Sequence, residues 1–253
     1  MDEPAAPSRT HHPRGASALR ADRFLNAFRD IEEYLATLAG LGIGAGYERS
    51  LKKARGLSAG VRLYEDQLTR FGFLRNAIVH WPMRGNAPIA DPRPDAVRDI
   101  EFIRNAIVNP PLMTAVVGGS VECCRSHDKA IEAAAQMARV DFSQLPVLDD
   151  QGITGMLTSE AVAHWLTACA REGTAASNAT VGAVVAWDKD PYWEPLHPEA
   201  TVADALELFQ AAMRSGRILR AVLLVEAGVP TPRGIATVWD LPRLFDSLRQ
   251  RRL

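Results

Sequence analysis

The feature that most constrains the fold of this chain is an internal repeat in its C-terminal half. Short apolar runs and helical segments follow one another there in the order β-α-β-β-α, and this order occurs twice. The first copy is predicted as strands Val116–Cys124, Leu145–Leu148 and Ile153–Leu157 with helices Asp128–Arg139 and Ser159–Ala170. The second copy is predicted as strands Trp193–Leu196, Ala221–Val225 and Gly234–Thr237 with helices Val202–Ser215 and Asp240–Arg249.

The N-terminal half has helical periodicity throughout. The first predicted helix carries Phe24, Phe28, Ile31, Leu35 and Leu38 on one face. A short helix follows over Tyr47–Leu57, and a long third helix from Ser58 carries Val61, Tyr64, Leu68, Phe71, Leu74 and Ile78. It ends by Trp81 because Pro82 disfavours helical geometry in the residue before it. The fourth helix starts at Asp95, with Val97, Ile100, Ile103 and Ile107 facing inward, so the region predicts a four-helix bundle.

These patterns predict an α+β chain with a four-helix bundle followed by two β-α-β-β-α repeats. We assign residues 1–20 to a flexible tail, 21–110 to the bundle, 111–179 to the first repeat and 180–253 to the second.

Composition removes several classes of function. Lys and Arg number 29 against 30 Asp and Glu, so only a local patch can attract nucleic acid. The three cysteines, Cys123, Cys124 and Cys169, fit neither a disulfide framework nor a metal-ligand spacing, and no metal is expected. No apolar run is long enough to span a membrane and the first residues do not resemble a secretory signal, so a cytoplasmic protein is expected.

The repeated segments share short motifs with one known family. They are Asp128–Ala133, Gln144–Leu148 and Gly155–Thr158 in the first copy, and Ala200–Leu206 and Gly234–Leu241 in the second. The stretch from Met113 to Leu253 thereby resembles a tandem pair of CBS domains. The resemblance implies a regulatory module in which the two repeats pack as a pseudo-dimer, with clefts between them for an adenine nucleotide such as ATP, ADP or AMP.

The two copies differ at the position expected to hold the ribose. The second copy keeps a Gly-x-x-Thr-x-x-Asp pattern at Gly234, Thr237 and Asp240, where the carboxylate can accept both ribose hydroxyls. The first copy keeps Gly155 and Thr158 but has Ala161 in place of the acid. We therefore predict one competent cleft at Thr237 and Asp240, with Arg214, Arg217 and Arg220 as the nearest cations for phosphates. The alternative is that Asp240 only caps its helix.

The end of the third helix carries Arg75, Asn76 and His80. This spacing inside a helical bundle resembles the R-x4–6-H motif of HEPN domains. The resemblance implies a bundle that dimerises and acts as a metal-independent endoribonuclease. His titrates near neutrality and can move protons, Arg matches phosphate oxygens, and Asn76 lies one turn before His80 where it can orient the imidazole. Two motifs facing each other in a homodimer would supply both acid and base.

A locally basic stretch surrounds this motif. It contains Arg49, Lys52, Lys53, Arg55, Arg62, Arg70, Arg75 and Arg84 against Glu48, Glu65 and Asp66. Such a face suits RNA, although a solvated charged face is the plain alternative.

The whole sequence predicts a nucleotide-regulated endoribonuclease acting as a homodimer. Two alternatives remain open: a non-catalytic nucleotide sensor whose helical domain dimerises or binds RNA or a partner protein, and a toxin restrained by an antitoxin.

Overall fold

A computed structural model describes residues 14–42, 44–79, 90–150, 152–188 and 192–249. The chain divides into two compact units, with the division between Pro110 and Pro111. The first unit is helical and the second mixes helices with two small sheets, so the α+β class is confirmed. Each unit is described by itself.

The described residues of the N-terminal unit form five helices. They are α1 (Arg14–Leu38), α2 (Tyr47–Ala54), α3 (Ala59–Leu63), α4 (Glu65–Val79) and α5 (Pro94–Val108). The apolar faces expected from the sequence are buried, including Phe24, Leu35, Leu68 and Ile100, each 0% exposed. Helix α1 packs on α5, α2 and α4, and its Phe24 ring lies 5.8 Å from that of Phe71. The four-helix count was therefore wrong, although most of the predicted core positions are buried, with Leu38 and Leu74 only partly so.

Two helix boundaries differ from the predicted ones, and the first of them accounts for the fifth helix. The predicted third helix is divided at Tyr64, which leaves helical geometry at φ −115°, ψ 15° and so separates α3 from α4. Helix α1 begins at Arg14, within the segment assigned to a flexible tail. Arg14–Arg20 carries the helix formers Ala and Leu directly before the apolar helical face that begins at Phe24, and extending a helix costs less than nucleating one.

The C-terminal unit contains the repeat. Its first copy comprises α6 (Met113–Val117), β1 (Cys124–Arg125), α7 (Ala130–Val140), β2 (Gln144–Asp149), β3 (Gly152–Thr158) and α8 (Ser159–Glu172). Its second copy comprises α9 (Val181–Val185), β4 (Trp193–Leu196), α10 (Val202–Arg214), β5 (Ala221–Leu224), β6 (Ile235–Thr237) and α11 (Leu241–Arg249). Each copy thus has the expected β-α-β-β-α order with a short leading helix before it.

One predicted strand was wrong. The apolar run Val116–Cys124 is not extended throughout, because Met113–Val117 forms helix α6 and only Cys124 joins a strand. Gly118 and Gly119 separate the two parts, since Gly118 leaves helical geometry at φ −68°, ψ 144°. An apolar run of this length fits a buried helix as well as a buried strand, and tertiary packing decides between them.

The two sheets have the same topology. Strand β1 is parallel to β2, which pairs antiparallel with β3, and β4, β5 and β6 repeat this arrangement. In the second sheet Ala221 stands opposite both Trp193 and Thr237. The start of β4, the start of β5 and the end of β6 therefore lie at one edge of the sheet.

The leading helices are exchanged between the copies. Helix α9 precedes the second copy in sequence, yet Val181 and Val184 are buried in the core of the first, together with Leu145 and Trp165. Conversely α6 packs on α11, and the Met113 N–H donates to the Ala200 carbonyl over 2.9 Å. The first copy therefore packs on α9, which precedes the second copy in sequence, and the second copy packs on α6, which precedes the first.

The cysteines are free thiols. Burial raises the pKa of Cys124 to about 12 and that of Cys123 to about 11, with neighbouring acidic groups adding to both shifts. Since the reactive form is the thiolate, both side chains act as structural thiols at neutral pH.

Candidate functional site

The residues predicted to bind nucleotide lie at one edge of the second sheet. Thr237 ends β6, Arg220 immediately precedes β5, and Tyr192 immediately precedes β4. Their backbones are linked there, because the Arg220 N–H donates to the Tyr192 carbonyl over 2.7 Å. The strand order thus places a hydroxyl, a carboxylate and cations at a single edge.

Asp240 caps the turn in which it lies. Its Oδ2 accepts hydrogen bonds from the Thr237 N–H at 2.8 Å and from the Thr237 hydroxyl at 3.0 Å. The Thr237 oxygen in turn accepts from the Trp239 N–H at 3.2 Å. The capping role considered from the sequence is therefore present. Among the described residues, however, the other carboxylate oxygen, Oδ1, makes no hydrogen bond, so one acceptor is left for a ligand.

The candidate cations differ in what they contact. The Arg217 guanidinium lies over the Tyr192 ring, 3.6 Å from its centre. Arg214 is exposed and donates to Gln210 on its own helix. Arg220 forms a salt bridge with Glu160 of the first copy, with Nη2 and Oε2 separated by 2.5 Å. Arg220 is thus held by a carboxylate of the other copy.

The matching position of the first copy is closed. Thr158 is 3% exposed, and its hydroxyl donates over 2.6 Å to Oδ2 of Asp188. The Thr158 oxygen also accepts from the Ala161 N–H, at 3.1 Å, and so caps α8. Asp188, which lies outside the repeated motif, therefore accepts the hydrogen bond from the Thr158 hydroxyl, as Asp240 does from the Thr237 hydroxyl in the second copy. The side chain of Asp188 is 3% exposed and lies 3.9 Å from the Arg220 guanidinium.

Sequence reasoning missed Asp188 and Glu160. Asp188 lies 30 residues beyond Thr158, and the exchange of α9 into the first core is what brings its segment back. Glu160 is in the first turn of α8, where an acid is common for helix-dipole reasons alone. The absent acid at Ala161 was the one available signal, and it did not indicate where a replacement would be found.

Arg75 and Asn76 lie on α4 in the N-terminal unit, and their side chains are in contact. Arg75 Nη1 donates to Asn76 Oδ1 over 3.3 Å, and the Arg75 guanidinium lies 6.0 Å from the centre of the Phe28 ring. His80 lies outside the described residues. The predicted pairing of Asn76 with the His80 imidazole therefore stays a prediction.

Both residues line a cleft of about 740 Å³ between α2 and α4. Its lining cations are Arg49, Lys52, Arg55 and Arg75, and its lining acids are Glu32, Glu48 and Glu65. Glu65 pairs with Arg55 over 2.6 Å, which leaves the remaining lining groups with an excess of positive charge. Tyr47 forms part of the floor, and burial raises the pKa of its hydroxyl, which donates to the Leu68 carbonyl at 2.8 Å.

Two further features concern the part of the chain that the structure describes. It contains no cluster of three or more His, Cys, Asp or Glu side chains that could hold a metal ion. No helix in that part combines the length and the apolar character needed to cross a membrane.

Residues 108–168 match the family model of the CBS domain, which confirms that assignment for the first copy. No curated protein matches the chain. Among solved structures, the chain is similar to a CBS domain pair in complex with 5′-methylthioadenosine and S-adenosyl-L-methionine, at 18% identity and a TM-score of 0.40, covering 53% of this chain and 98% of that one.

Two other solved structures are similar to the same extent. CBSX2 in complex with AMP has 14% identity and a TM-score of 0.43, and the match covers 55% of this chain and 99% of that one. The CBS domain of a CBS-domain-containing membrane protein from Sphaerobacter thermophilus has 18% identity and a TM-score of 0.42, covering 59% and 96%.

Proposed function

We propose that the C-terminal unit is a CBS pair, packed as a pseudo-dimer, which binds one adenine nucleotide and regulates the N-terminal unit. The ligand lies at the edge of the second sheet, with the ribose on Asp240 and Thr237 and the phosphate near Arg217 and Arg220. One observation carries this assignment above all. Asp240 uses a single oxygen to cap its turn and leaves the other for a ligand, at the edge where the cations gather.

Asp240→Ala tests the site, and the chain provides a matched control. Asp204 caps α10 in the same way, accepting from the Thr201 N–H at 2.8 Å and its hydroxyl at 2.7 Å, but α10 begins at the opposite edge of the sheet. Calorimetric titration with AMP, ADP and ATP should show at least about 10-fold weaker binding for Asp240→Ala, because a hydrogen bond to a charged group contributes about 1.5–3 kcal/mol.

Asp204→Ala should keep the wild-type affinity although it loses an equivalent cap. Equal losses of nucleotide affinity in the two variants would show that Asp240 acts only as a capping residue and does not bind the ligand. A wild-type protein that binds none of the three nucleotides would refute the proposed function.

For the N-terminal unit we propose metal-independent RNA cleavage by Arg75, Asn76 and His80 at a homodimer interface. The observation that favours it is the position of Arg75 and Asn76 in the wall of a cleft with excess positive charge. Arg75 would stabilise the phosphate charge and His80 would transfer the protons. Nucleotide bound to the C-terminal unit would then shift the population of the cleaving dimer, and an antitoxin or effector could act on the same equilibrium.

His80→Ala should lower cleavage of labelled single-stranded RNA, measured with EDTA present, by at least about 100-fold, since a general acid–base group contributes about 10²–10⁴-fold. His127→Ala, an exposed histidine in the other unit, is the matched control and should cleave at the wild-type rate. Equal rates in wild type and His80→Ala would exclude the catalytic assignment. Cleavage that requires a divalent cation would exclude the metal-independent mechanism.

A further inference from the structure

Arg220 joins the two copies of the C-terminal unit at the proposed site. Its backbone carbonyl accepts from Gln144 Nε2 of the first copy over 2.9 Å, and its guanidinium forms the salt bridge with Glu160. Its own chain position belongs to the second copy, directly before β5. One residue therefore connects the edge of the second sheet to the closed site of the first.

The charges around Arg220 do not balance. One guanidinium faces two carboxylates, Glu160 at 2.5 Å and Asp188 at 3.9 Å. Asp188 already accepts a hydrogen bond from the Thr158 hydroxyl. The Nε–H of Arg220 is buried and has no hydrogen-bond partner in the described part of the chain. The guanidinium thus has an unused Nε–H donor, and Glu160 is its nearest carboxylate, with Asp188 at the outer limit of salt-bridge distance.

A phosphate at the second copy would be within reach of this guanidinium. Ala221 stands opposite Thr237, so the Arg220 backbone is adjacent to the turn that carries Asp240. Phosphate oxygens accept two parallel hydrogen bonds from the guanidinium fork, which would also satisfy the unused Nε–H. Glu160 is about half exposed, with 49% of its side chain accessible, so water can solvate its carboxylate once Arg220 turns away.

We propose that Arg220 reads the phosphate of the bound nucleotide and that Glu160 holds it in the ligand-free state. Binding of a phosphate-bearing ligand exchanges the Glu160 carboxylate for the phosphate, which releases the side-chain link between the copies and leaves the bond from Gln144 to the Arg220 backbone. Asp188 remains on Thr158 and keeps the first site closed. The site therefore prefers adenine nucleotides to adenine nucleosides, and Arg220 provides most of this preference. This inference rests on the proposed nucleotide site.

Titration with AMP and with adenosine tests the exchange. Glu160→Gln removes the competing charge and should raise AMP affinity about 3- to 10-fold while leaving adenosine affinity unchanged. Arg220→Gln should lower AMP affinity to about that of adenosine. In the double variant the Glu160→Gln gain should disappear. Glu172→Gln, an exposed residue at the end of the same helix, is the control and should bind both ligands as wild type does.

The outcomes separate this inference from the proposed function. If wild type binds both ligands and their affinity ratio is the same in Arg220→Gln, Arg220 does not read the phosphate, although the nucleotide site stands. If Glu160→Gln changes AMP and adenosine affinity equally, Glu160 acts on the fold and not on the phosphate. If wild type binds neither ligand, both the site and the exchange are refuted.

Discussion

Gly234→Ala is expected to destabilise the C-terminal unit by about 3 kcal/mol or to prevent its folding, since overpacking against backbone lies at the upper end of its usual range. A Cβ at Gly234 would stand 2.5 Å from the Val117 carbonyl oxygen and 2.9 Å from Leu224 Cδ1. The first of these atoms belongs to the backbone, where Gly234 and Gly118 form a β-bridge. Relief would require moving the end of α6 away from β6.

The equivalent glycine of the first copy provides the matched comparison. A Cβ at Gly155 would meet only Val185 Cγ1, at 3.3 Å, and this side chain can shift. Gly155→Ala should cost less than about 1 kcal/mol, because this contact can relax. Both variants share the entropic effect of losing a glycine from the unfolded chain, so the difference between them reports the packing around each residue. Urea denaturation followed by tryptophan fluorescence measures the difference, as four of the five tryptophans lie beyond Pro111. Equal midpoints for the two variants would contradict the packing around Gly234.

Thr158→Val is expected to cost about 2–4 kcal/mol, because it removes the hydroxyl donor from a buried carboxylate and the acceptor from a buried N–H. The Thr158 hydroxyl is the donor to Asp188 at 2.6 Å and the acceptor for the Ala161 N–H. Valine has the same shape as threonine but offers neither group. The side chain of Asp188 is 3% exposed, so water cannot readily replace the lost donor.

Thr237→Val makes the same chemical change in the second copy and should cost less than about 1 kcal/mol. Thr237 and Asp240 are only partly buried, and the Thr237 N–H continues to donate to the carboxylate. Thr158→Ser keeps the hydroxyl and should retain most of the stability. Adding Asp188→Asn to Thr158→Val should recover part of the loss, since a buried amide that lacks the hydroxyl donor costs less than a buried charge that lacks it. Similar losses for the two Thr→Val variants in urea would show that Asp188 is not the source of the cost.

Local patterns predicted most of the secondary structure because they act over short distances. The 3.6-residue spacing of Phe24, Phe28, Ile31 and Leu35 identified the buried face of α1, and β4 was predicted with its observed bounds. The errors occurred where packing decides between two local options. The run before Gly118 forms a helix because it packs on the second copy, and the helix break at Tyr64 has no Gly or Pro to indicate it.

The site was predictable only where both partners lie in one motif. Thr237 and Asp240 are three residues apart, so their contact follows from the sequence. The contact between Thr158 and Asp188 joins residues 30 apart through the exchanged helix α9, and the Arg220–Glu160 salt bridge spans 60 residues. The topology of the fold decides which residues form such pairs, and a single sequence does not indicate the partner.

The exchanged leading helices also constrain the order of events during synthesis. The strands and helices of the first copy emerge from the ribosome before α9 does. The core around Leu145 and Trp165 therefore stays incomplete until residue 185 has emerged. Helix α6 must wait longer, because its partner α11 is near the end of the chain. Contacts between segments so distant in sequence form slowly. Helix α6 therefore leaves its apolar face exposed while the second copy is being translated, whereas the first copy can complete its core once α9 has emerged.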